Sequence, residues 1–170
     1  MLKYINKAEA LVSGWLKGVP HLPKVGTKWI SENIWWITLV GVILSCIGLL
    51  FSLMGLLTAL ATLGANPYYY GYGYSSVHSD FWVFETLVSM AFTVVAVALL
   101  SRAITPLKTM KAKGWNILFK LFLLDVIYVV VSALFSYSII GFIFSIIFGA
   151  IGLAISAYLL FEIKSHFVKK

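Results

Sequence analysis

One cysteine, three histidines and six carboxylates among 170 residues leave little from which to build a reactive centre. Cys46 has no partner in the chain, so an intramolecular disulfide, a CxxC redox pair and a cysteine-based zinc site are excluded. His21, His78 and His166 are scattered along the chain, which argues against one shared metal site. HExxH, GxSxG and phosphate-cradling glycine loops are missing as well. These absences lead to the expectation of a non-enzymatic protein without cofactor or metal. Charge is equally sparse: Asp, Glu, Lys and Arg make up 11% of the chain, against about a quarter in soluble domains, while 61% is hydrophobic. That balance excludes a soluble domain and predicts an integral membrane protein.

What the chain has in abundance is long uncharged apolar sequence. Residues 34–63, about 30 of them, contain no Lys, Arg, Asp, Glu or His, more than enough to cross a bilayer. Apolar runs over 81–103, 115–136 and 139–163 supply three more spans. Residues 1–33 read as an amphipathic helix and a basic linker. Leu2, Ile5, Val12, Trp15, Leu16 and Val19 share one face, which predicts a helix lying in the membrane surface until Pro20 and Pro23 break it. Ser31 is a candidate cap for the first span, and residues 164–170 form a basic tail. The predicted fold is all-α: a four-helix transmembrane bundle with an amino-terminal interfacial helix.

The net charge of +7 comes from 13 Lys and Arg residues, which lie in or next to the amino-terminal segment, the connector between the second and third spans, and the carboxyl tail. By the positive-inside rule this predicts a multi-pass protein of the plasma membrane with both termini cytoplasmic. Short basic clusters beside apolar runs point to anionic headgroups as partners, not to nucleic acid.

Small residues recur at helical spacing in two spans. Gly41, Ser45, Gly48, Ser52 and Gly55 line one face of the first, and Gly141, Ser145, Gly149, Gly152 and Ser156 line the fourth. Such stripes let helix backbones approach closely in lipid, and the two are expected to meet. The second span carries Glu85, Ser89 and Thr93 on one face, and the third carries Asp125, Tyr128 and Ser132. Antiparallel packing puts Thr93 level with Asp125 and Glu85 level with Ser132. Two readings of this seam stand: interhelical hydrogen bonding, with Asp125 bonded to Thr93 or Tyr128, or a proton or ion path from Asp125 outward to Glu85. The loop with Tyr68, Tyr69, Tyr70, Tyr72 and Tyr74 is either a contact surface for a partner or an interfacial aromatic belt.

The segments LPKVGTKWISENIWWITLVGVILS, KAKGWNILF and GAIGLAISAYLLFEIKSHF resemble small four-span membrane proteins of ultrasmall candidate-phyla bacteria. That resemblance implies a bacterial plasma membrane and carries over no catalytic or binding residue. The expected function is that of a scaffold, accessory subunit or envelope factor, with a protein partner or a second copy as its counterpart. The alternative is a small oligomeric transporter or channel using Asp125 and Glu85.

Overall fold

The computed structural model describes residues 2–16, 18–63, 76–136 and 138–167. Five helices account for nearly all of them: α1 (Leu2–Leu16), α2 (Lys24–Leu63), α3 (Ser76–Lys108), α4 (Ala112–Leu134) and α5 (Ile139–Phe167). Helices α2 to α5 are each long and apolar enough to cross a membrane, so the chain is a multi-pass, all-α bundle. The Tyr-rich loop, with Tyr68, Tyr69, Tyr70, Tyr72 and Tyr74, lies outside the described residues.

Several helix boundaries differ from the sequence expectation, and three of them have a local reason. Helix α2 starts ahead of Ser31, because the Pro23 carbonyl accepts the Thr27 N–H at 3.1 Å and opens the helix there. Ser31 is therefore an interior residue, fully buried, whose hydroxyl donates to the Lys28 carbonyl at 2.8 Å. Pro106 sits inside the last turn of α3 and does not break it. Beyond it, Met110 in a left-handed conformation (φ 49°) closes the helix, with Met110 N–H donating to Leu107 and Lys111 N–H to Pro106, both at 2.9 Å. Helix α5 runs on into the expected basic tail, since Ile163 and Phe167 form a buried i,i+4 pair that holds its last turn.

The spans form a ring in chain order. Helix α2 packs on α3, α3 on α4 and α4 on α5, and α5 returns to α2 through a smaller contact while α1 lies against α5. The core is not spread along this ring. It is concentrated at the end that carries α1, the α3–α4 connector and the carboxyl end of α5, called here the basic end. Ala103, Leu107, Trp115, Phe119, Leu160 and Phe167 are buried there, with Ile30, Ile34 and Trp35 of α2 packed against them. Trp115 stacks on Phe119 (5.4 Å between centroids) and donates its indole N–H to the Leu160 carbonyl at 2.8 Å.

The small-residue stripes divide between contact and open space. A Cβ at Gly149 would overlap Val129 Cγ1, so this glycine sets the approach of α5 to α4. Gly55 faces Trp82 of α3 at 3.6 Å, whereas Gly41, Gly48 and Gly152 face nothing within 4 Å. Ser45, Ser52 and Ser145 are half-buried and Ser156 is exposed. Gly141 lies in the first turn of α5, where its N–H is capped by the Ser138 hydroxyl at 3.0 Å. The expected meeting of the two stripes is thus not what brings the helices together: α5 spends its closest glycine on α4.

A pair of substitutions reads this division. Gly149→Ala should lower stability in detergent by a net ~1 kcal/mol, overpacking against stiff Val129 outweighing the gain in helix propensity, while Gly48→Ala should leave it unchanged or raised. Equal unfolding midpoints for the two variants would refute the α4–α5 approach at Val129.

Candidate functional site

The polar seam forms between α3 and α4, but only in part. Edge contact of Phe84 with Phe135 (5.5 Å) and the tilted pair Phe92–Tyr128 (5.3 Å) fix the register of the two antiparallel helices. At that register the Ser89 hydroxyl meets the Tyr128 hydroxyl at 3.2 Å, the one bond among the described residues that joins the two predicted faces. Thr93 donates to the Ser89 carbonyl of its own helix at 2.9 Å, and Ser132 donates to Val129 at 3.1 Å. Asp125, half-buried one turn before Tyr128, has no hydrogen bond among the described residues, and neither has half-buried Glu85. The expected pairing of Asp125 with Thr93 or Tyr128 is therefore not made. The reason is competition: a threonine in a helix can satisfy its hydroxyl on the carbonyl four residues back, and Tyr128 has taken Ser89. The row from Asp125 to Glu85 is interrupted rather than a connected chain of polar groups.

A second polar group lies at the basic end, where the sequence shows no signal for it. The linker between α1 and α2 is strapped onto α5. The Glu162 carboxylate meets His21 Nδ1 at 2.6 Å with one oxygen and accepts the Leu22 N–H at 3.2 Å with the other. One turn earlier, Tyr158 donates its hydroxyl to the Pro20 carbonyl at 2.7 Å. His166 pairs with the Thr27 hydroxyl at 3.3 Å, tying the end of α5 to the start of α2. The Glu162 side chain is only 8% exposed against 73% for His21, so the carboxylate is the buried partner and these two donors offset its loss of water.

Helix α1 is held to the same surface. Ile5, Ala8 and Val12 pack against the core, and Glu9 forms an ion pair with Lys164. The Lys164 ammonium also lies 5.0 Å from the centroid of the Trp115 ring, and Lys108 sits 5.1 Å over Trp35. The apolar face of α1 is divided: Ile5 and Val12 of that face are docked on protein. Trp15, expected beside them, points away and is 79% exposed, with Leu11 also exposed one turn before it.

Between α1, the linker, the first turn of α2 and the last turns of α5 is a cavity of about 450 Å³. Its walls include Leu16, Leu22 and Phe161 on the apolar side and His21, Lys24, Glu162 and Ser165 on the polar side. Neither His21 nor Glu162 stands out in the sequence as part of a site, because they are 141 residues apart and Glu162 falls within the expected fourth span. The expected confinement of Lys and Arg to the amino-terminal segment, the connector and the carboxyl tail fails at Lys120, which is exposed about two turns into α4, a position from which its stem can carry the ammonium back toward the membrane surface.

The strap is testable directly. Glu162→Leu, which removes both acceptors, should speed amide exchange at Leu22 by about tenfold or more, equivalent to losing ~1–3 kcal/mol of local stability, and Glu162→Gln should do so less. Unchanged exchange at Leu22 in the leucine variant would mean that the linker is held by other contacts. No family model, curated protein or solved structure matches this chain.

Proposed function

We propose that this multi-pass membrane protein is a non-enzymatic scaffold or accessory subunit whose basic end faces the cytoplasm of a bacterial cell. The observation that carries the reading is the placement of the core: the tightest packing, the aromatic–lysine contacts and the docked α1 are all at the basic end. A rigid platform at one membrane surface, set on spans whose outer faces are left to lipid or other helices, suits assembly more than conduction. The interrupted row between Asp125 and Glu85 agrees with this, as a proton or ion route needs successive groups within hydrogen-bonding reach.

The second reading, transport through Asp125 and Glu85, has one observation in its favour. A half-buried carboxyl in a span with no hydrogen bond among the described residues is expensive to keep for structure alone. Proteoliposomes separate the two. The scaffold reading expects no proton, sodium or potassium flux from the wild-type protein under imposed gradients; a flux that Asp125→Asn abolishes would replace it with transport. Orientation is checked in a Cys46→Ser background, where cysteine at Ser75 should react with an impermeant thiol reagent in intact cells and cysteine at Lys111 should not. The opposite pattern would invert the topology.

A further inference from the structure

We propose that the cavity at the basic end is a binding site for a phosphate monoester group, presented either by a lipid headgroup or by a soluble phosphomonoester. Its volume, about 450 Å³, is within the range of small-ligand sites and well beyond what a few waters need. The charge arrangement selects an anion. Glu162 has both oxygens engaged by His21 and Leu22, Glu9 is paired with Lys164, and Glu32 is paired with Lys28 at 3.8 Å. Lys24, exposed at the cavity, has no such partner among the described residues, so an uncompensated cation remains there.

Two further polar groups border the same space. The Ser165 hydroxyl lines the cavity without a hydrogen bond among the described residues. His21 meets Glu162 through Nδ1, and as the imidazolium, with both ring nitrogens protonated, it has Nε2–H left to donate to an anion. An ammonium, a hydroxyl and an imidazolium around a space bounded by Leu16, Leu22 and Phe161 match an anionic group attached to a carbon chain. The cavity is also at the right depth for a headgroup. Phe161 makes edge contact with Trp115 at 5.7 Å, and the nearby pairing of Lys164 with Trp115 is the kind of cation–aromatic contact found where a span leaves the hydrocarbon.

The inference is independent of whether the protein is a scaffold or a transporter. It is tested on the full chain in a neutral detergent by titrating dioctanoyl phosphatidic acid, dioctanoyl phosphatidylcholine and glycerol 3-phosphate, with affinity read by native mass spectrometry and thermal shift. Phosphatidic acid should bind at least about tenfold more tightly than phosphatidylcholine, and Lys24→Ala or Ser165→Ala should each weaken it by about tenfold, as expected for losing a bond to a charged group. Lys28→Ala, one turn away and already paired, should bind like the wild type. Phosphatidic acid exceeding glycerol 3-phosphate assigns the lipid as the source, and equal affinity assigns a soluble phosphomonoester; both support the site. Equal binding of phosphatidic acid and phosphatidylcholine overturns it, as does a Lys24→Ala protein that binds phosphatidic acid unchanged. A Lys28→Ala loss as large as that of Lys24→Ala also overturns it, by showing diffuse attraction to a basic surface.

Discussion

Trp115→Ala should lower the unfolding free energy by about 4 kcal/mol, the upper part of the range for emptying a buried aromatic site. The residue is 2% exposed and lies where α3, α4 and α5 converge. Its ring stacks on Phe119 within 5° of parallel, meets Phe161 edge-on at 5.7 Å, and carries Lys164 on its face. Alanine would remove all three contacts and the bond to the Leu160 carbonyl, and neighbours pinned by the α3–α4 hairpin have little freedom to fill the space. Trp115→Phe keeps most of the ring area and loses the hydrogen bond, so it should cost only about 1 kcal/mol, because the Leu160 carbonyl can still accept within its own helix. Chemical unfolding in mixed micelles, followed by the fluorescence of the remaining tryptophans, measures both. A loss below about 1 kcal/mol for the alanine variant would show that the basic end is not where this protein keeps its stability.

Gly114→Ala should follow closely, at about 3 kcal/mol, for a different reason. A Cβ there would lie 2.9 Å from the backbone nitrogen of Leu107 and 3.0 Å from the backbone carbon of Pro106. A side chain can rotate away from such a clash; a backbone in a closed turn cannot. The Pro106 and Leu107 carbonyls are those that accept from Lys111 and Met110, so moving them breaks the hairpin that joins α3 to α4. The gain in helix propensity from Gly to Ala, about 1 kcal/mol, is too small to offset this. The variant should unfold at lower denaturant and show faster amide exchange at Met110 and Lys111. Wild-type exchange at those two amides would mean that the hairpin is wider than the structure shows.

Both predictions concern the KAKGW segment, which reads from the sequence as a short loop entering a helix. The loop was legible because lysines and a glycine between two apolar runs have few other uses. That the glycine is obligatory was not, since it depends on how near the end of α3 lies to the start of α4. Pro106 shows the same limit in reverse. Proline usually ends a helix, yet here it occupies the last turn, and Met110, with no turn signature in its residue type, terminates α3.

The sequence by itself determined that this is a helical, multi-pass protein with four spans and nearly all its basic groups near one end of them. Those properties depend on the length and composition of continuous segments, and no other part of the chain can alter them. The tertiary structure alone decided which polar groups have partners. Ser89 could have bonded Tyr128 or Asp125, Thr93 could have reached across or turned to its own backbone, and the choice lay in the rotation and register of α3 against α4. It also decided that α1 docks on α5 and that His21 meets Glu162, because contacts between segments 141 residues apart depend on how each helix is turned about its axis, which spacing along one helix does not specify.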